Sequence, residues 1–149
     1  MSAVVTFYFN VKSREQALCQ LIGKALAQRI EINVLARDAN GSAALDRLLW
    51  EIPQTGFLPH CAADDALAAR TPIVVDHRDD LMQPRAALFN WTDAPPPEAL
   101  RQGRIFEIVD RDDANRNRAR ERWRAYAALG ITPSAIDMLD LAAARSETP

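Results

Sequence analysis

"AVVTFYFNVKSREQALCQLIGKALAQRIEINVLA", residues 3–36, decides the fold. Its opening, 3–9, is apolar, β-branched and aromatic, the composition of a strand buried on both faces or nearly so. Ser13 followed by Gln16 gives a capping-box start. Ala17, Leu18, Leu21, Ile22, Ala25 and Leu26 then recur at helical spacing, a stripe suited to packing on a sheet. Residues 30–36 return to strand composition. Strand, helix and strand in that order predict a parallel sheet joined by crossovers.

The pattern continues outward. "DANG" breaks the chain, and 42–52 reads as a second helix that must stop before Pro53. "FLPH" is a short extended piece, an edge strand at best because of Pro59. Residues 71–77 and 85–91 are further strands, and 104–110 is the last convincing one. A long helix over 113–129 then ends at Gly130, a natural residue just past a helix C-terminus. The expected fold is three-layer α/β: a mostly parallel sheet with helices on both faces, Rossmann-like but without a nucleotide site. Residues 1–139 are expected to form one domain and 140–149 a frayed tail.

Composition is ordinary, with 48% hydrophobic and 26% charged residues, so disorder is not expected. The net charge of −2 gives no global attraction to nucleic acid, and no apolar run approaches a membrane span. A cytoplasmic protein is expected. Cys19 and Cys61 lack CxxC spacing, and Cys19 falls within an apolar helical stripe, as a buried small hydrophobe would.

Enzyme chemistry finds little purchase. Phosphate cradles of doubly wound folds need glycines after the first strand, and "NVKSREQ" has none. Asp76, His77, Asp79 and Asp80 in "DHRDD" form a candidate metal, nucleotide or acid–base turn, though aspartates also suit a plain solvated turn. His60 and Cys61 are adjacent on an extended segment and point to opposite faces, so they make a poor base–nucleophile pair. No catalytic residue, cofactor or metal is expected.

Two other features point to docking. Six arginines lie between Arg111 and Arg124. At helical spacing Arg116, Arg120 and Arg124 form one row about 12 Å long, with Trp123 beside it and Arg118 and Arg122 elsewhere. A cationic row beside an aromatic wall suits an acidic peptide with a hydrophobic end better than duplex DNA. Trp50 and Phe57 stand seven residues apart around Pro53 and Gly56, a candidate anchor surface. The plainer alternative is that both rings cap one end of the core, Trp50 more readily than Phe57.

"TFYF" (6–9), "LLWEIPQTGFLPH" (48–60) and "FEIVD…ARERWRAYAALG" (106–130) together, in that order, resemble the chi subunit of the bacterial DNA polymerase III holoenzyme. The resemblance extends to about Leu139 and implies an α/β fold without catalysis of its own. It implies two partners, the psi subunit of the clamp-loader complex and the acidic, Phe-ended C-terminal tail of single-stranded-DNA-binding protein. By the family's pattern, Trp50, Phe57 and Pro59 would face psi, and a helicase is a further candidate for that surface. Arg116, Arg120, Trp123 and Arg124 would take the acidic tail, so nucleic acid would be met only indirectly. Arg116 stands where the family often has lysine. The segment 110–116 is more acidic than the family's, and Asp112 and Asp113 would oppose an acidic tail if they lay beside it.

Overall fold

The computed structural model describes residues 3–51 and 58–139. These form β1 (Val4–Val11), α1 (Arg14–Ala27), β2 (Ile32–Ala36), α2 (Ala39–Glu51), β3 (His60–Cys61), β4 (Ile73–Asp76), β5 (Ala87–Trp91), β6 (Arg104–Asp110), α3 (Asp113–Ala128) and β7 (Ser134–Asp137). The strands make one sheet in the order β3-β4-β2-β5-β6-β1-β7, and every pairing is parallel. The three-layer α/β expectation holds. No helix among the described residues is long and apolar enough to cross a membrane.

Strand alternation divides the core in two. Ile32, Val34 and Ala36 of β2 join Phe89 and Ile108 beneath α1 and α2, which contribute Leu18, Cys19, Ile22, Leu45 and Leu49. Leu35 of β2 points the other way, into a cluster with Val5, Phe7, Leu88, Ile105 and Val109 beneath Ala119 and Tyr126 of α3. Cys19 is fully buried, as the stripe requires.

Three expectations need correction. The second helix begins at Ala39, not 42: Asp38 accepts hydrogen bonds from the Gly41 amide through its side chain (2.8 Å) and from the Ser42 amide through its carbonyl (2.9 Å). "DANG" is therefore a capped helix start instead of a break. The strand over 104–110 is not the last, because β7 pairs with β1 from Thr6↔Ser134 to Phe9↔Asp137. β1 is also less buried than expected: Val4 is 59% exposed and Phe9 only partly covered, since β1 lies next to the edge of the sheet. Residues 140–149 lie outside the described residues.

Two glycines and an arginine fix the ends of the elements. Gly130 adopts φ +83° just past α3, the left-handed position expected of it. Gly103, at φ +68°, leads into β6, and a Cβ there would meet the Ala86 carbonyl oxygen at 2.6 Å. Arg85 then ties the entrances of neighbouring strands together, its guanidinium donating to the carbonyls of Ala68 (2.7 Å), Thr71 (2.7 Å) and Pro72 (3.0 Å).

α3 is held by an ionic centre. Its sheet-facing residues are Ala119, Arg122 and Tyr126, and β6 offers them a fully buried carboxylate, Glu107. Arg122 Nε donates to Oε1 of Glu107 (2.9 Å), while Tyr126 Oη (2.6 Å) and Asn90 Nδ2 (2.7 Å) donate to Oε2. Burial raises the Glu107 pKa, with Arg122 and these hydrogen bonds opposing the rise. Burial, followed by the carboxylate, raises that of Tyr126. Removing one member of such a pair leaves the other charge buried alone, at a cost of about 3–5 kcal/mol, whereas an apolar replacement of the whole set is often neutral. Glu107→Ala is expected to lose about that much in urea unfolding. The triple variant Glu107→Leu/Arg122→Met/Tyr126→Phe should be clearly more stable than the single one.

Candidate functional site

On the outer side of α3 lies a cleft of about 360 Å³. Arg116, Arg120, Trp123 and Arg124 all line it, so the structure brings the four predicted residues together. Its floor is apolar: Phe7 and Phe9 of β1, Val109 of β6, Ala119 of α3 and Ala135 of β7. Trp123 is propped by Phe7, with ring centroids 5.1 Å apart, and Phe7 in turn meets the edge of Tyr126 at 6.0 Å. The indole is thus held in place as a wall rather than left to swing.

The three arginines of the row are exposed, and among the described residues no carboxylate lies within ion-pair distance of any of them. Arg120 donates to Asn117 Oδ1 (2.8 Å), a neutral contact that orients the guanidinium without neutralising it. Asp112 is the N-cap of α3, accepting from the Asn115 amide (3.0 Å), and Asp113 occupies the first turn. Neither lines the cleft. The acids that the sequence placed ahead of the row are thus drawn to the positive end of the helix dipole. Phe9 and Ala135 were missed by sequence reasoning. Phe9 looked like one more core residue of a doubly covered strand, and Ala135 sits on the unforeseen β7.

The second predicted surface is at the opposite edge of the sheet. Trp50 is 59% exposed, so it does not cap the core, contrary to the plainer alternative. Its ring packs on His60, with centroids 4.9 Å apart. His60 is fixed in turn, its Nδ1 2.7 Å from the Leu58 carbonyl oxygen and its Nε2 2.9 Å from Asp46 Oδ1. Pro59 is half-buried beside this pair. Phe57 lies outside the described residues.

The turn with Asp76, His77, Asp79 and Asp80 has a structural task. Asp76 is buried and accepts from the amides of Ala63 (2.9 Å), His77 (2.8 Å) and Arg78 (2.9 Å), as well as from Arg78 Nε and Nη2 (each 2.9 Å). Asp79 and Asp80 open a short 3-10 turn. Among the described residues no group of three or more His, Cys, Asp or Glu is placed to hold a metal ion. Cys61 packs against the cluster beneath α3 while the His60 ring turns to Asp46, so the two do face apart.

Burial works against the charge on Asp76, but the hydrogen bonds from Arg78, Ala63 and His77 outweigh it and hold the pKa well below the usual carboxylate range. A depressed folded-state pKa stabilises above the unfolded value, near 3.8, and that stability is lost as pH falls toward the folded value. Asp76→Asn should therefore be destabilised by about 3 kcal/mol at pH 7. Its unfolding midpoint should fall less steeply than that of the wild type between about pH 4 and pH 2, as read by urea titration across that range.

The geometry can be set beside known proteins. A profile of the family described as DNA polymerase III chi subunit, HolC, matches residues 1–134. A protein named DNA polymerase III subunit chi from Pseudomonas aeruginosa is 28% identical over 118 residues, covering 79% of this chain and 82% of that one. Its namesake from Escherichia coli K12 is 23% identical over 125 residues, covering 78% and 80%. A third, from Haemophilus influenzae, is 24% identical over 117 residues, covering 78% and 81%. With nine-tenths of its length matched, this α/β chain belongs to the DNA polymerase III chi subunit family.

Proposed function

We propose that the chain is a non-catalytic adaptor of the replicase and clamp-loader complex during DNA replication. It bridges the acidic C-terminal tail of single-stranded-DNA-binding protein to the psi subunit or an equivalent partner. The observation that carries the tail half is the cleft. Three guanidinium groups, without carboxylate partners among the described residues, flank a fixed indole over an apolar floor. Arginine grips carboxylates bidentately, and the floor suits the ring of a terminal phenylalanine. Family membership supports the same reading.

The partner half is supported by the exposed Trp50, backed by His60 and Pro59. Phe57, a short reach along the chain, is proposed as a second anchor of that surface, where a helicase is a further candidate. An exposed aromatic held by a neighbour is the kind of group that fills a partner's pocket. A cytoplasmic, replisome-associated location follows from this role. The alternative reading, a ligand site at Asp76, is disfavoured because that carboxylate already serves five donors of its own chain.

Two measurements test the halves separately. A fluorescently labelled acidic peptide ending in Phe should bind the wild type with a marked salt dependence. Arg120→Glu should weaken it about tenfold to a hundredfold, given roughly 1.5–3 kcal/mol for each charge-assisted contact. Equal affinities would reject the tail assignment. In pull-downs, Trp50→Ala and Phe57→Ala should lose the replicase-associated partner and keep the peptide. Joint loss of both activities would point instead to one shared site.

A further inference from the structure

α3 carries a second set of cations on its other side. Arg118 and Arg122 line a cavity of about 500 Å³ together with Arg14, Arg37 and Trp91. Arg37 directly follows β2, Trp91 ends β5, and Arg14 opens α1. The cavity therefore lies beyond the carboxyl ends of the neighbouring strands β2 and β5. From β2 the chain continues toward β3 and β4, and from β5 toward β6, so the strand order reverses between them. Open α/β sheets characteristically receive ligands at that kind of crevice.

The charges there are not balanced. Asp38 and Asp93 both pair with Arg37, at 3.7 and 3.0 Å. Glu107 accounts for Arg122 through Nε alone. Arg14 donates its Nε to the Ile108 carbonyl (2.9 Å) and lies 4.0 Å over the Trp91 ring, and Arg118 donates to Asn115 Oδ1 (2.9 Å). Among the described residues, neither Arg14 nor Arg118 has a carboxylate within ion-pair distance. Arg122 is 5% exposed, and its charge together with burial lowers the pKa of Arg14, burial being the larger cause. Two guanidinium groups crowded out of water, with a third at the rim, are stabilised by an anion that takes their remaining N–H groups.

We infer that the crevice formed by Arg14, Arg37, Arg118 and Arg122 beside Trp91 binds a small phosphorylated anion of the diphosphate class. The loop after β1 still lacks the glycines of a backbone cradle, so guanidinium forks make the contacts here. This site is independent of the tail cleft, which uses the opposite side of α3.

The test uses the full chain with inorganic pyrophosphate as probe. Pyrophosphate should raise the thermal midpoint by about 5 °C beyond sodium chloride of matched ionic strength. By calorimetry, Arg37→Ala/Arg118→Ala should bind it about tenfold more weakly or worse. Both side chains are exposed, so the fold should persist, as circular dichroism would show. Arg120→Glu should leave pyrophosphate affinity unchanged. A shift no larger than that of chloride, or full affinity in the double variant, would overturn the assignment. So would binding lost on Arg120→Glu, which would place the anion in the tail cleft. Binding of bare oligonucleotide alone, lost in the double variant, would make the crevice a nucleic-acid backbone site and the small-anion assignment wrong.

Discussion

The contact between Glu107 and Arg122 governs the rest of the functional surface. α3 has few apolar side chains with which to grip a sheet, and its sheet-facing row includes an arginine. A greasy stripe tolerates some rotation of a helix about its axis. An ion pair completed by Tyr126 and Asn90 tolerates very little, because each donor has one place to go. Buried ion pairs are weak sources of net stability, so this one is better understood as a device for specifying orientation. The rotation it sets turns Arg116, Arg120 and Arg124 to one flank and Arg118 to the other.

That division explains how a protein of net charge −2 can present strong local positive potential. The acids are not spread evenly among the cations. Asp112 and Asp113 lie at the start of α3, those of the central loops bind Arg37 and Arg78, Glu107 is enclosed, and Glu121 alone among the acids of α3 stands exposed in mid-helix. Four exposed arginines, Arg116, Arg118, Arg120 and Arg124, outnumber that one carboxylate, so α3 faces solvent with a net positive charge on two sides. A low-dielectric wall of Phe7, Phe9 and Trp123 concentrates the field on one of them.

The sequence disclosed what short-range patterning controls. The strand–helix–strand opening, the burial of Cys19, the stop at Gly130 and the row of arginines all follow from periodicity and caps. The grouping of Arg116, Arg120, Trp123 and Arg124 in one cleft was legible for the same reason. β7 was not, because Ser134–Asp137 has little strand character and owes its conformation to the free side of β1. The helix start at Asp38 was hidden because Asn and Gly suit turns as well as first turns. Arg122 looked like any other arginine of its helix. The available signal was Glu107 in the middle of "RIFEIVD", since a carboxylate amid buried strand residues demands partners, and the cationic one comes from α3.

The strand order has a consequence for reach. His60, on which Trp50 of α2 packs, belongs to β3 and the basic cleft reaches β1 and β7, so six inter-strand intervals separate the extremes of the sheet. At about 4.8 Å each, that is some 29 Å of stiff, hydrogen-bonded protein. Two macromolecules gripping the far ends would not collide, and neither would have to leave before the other arrived. A rigid strut of that span would turn two such grips into one tether, since holding the first end would raise the local concentration at the second.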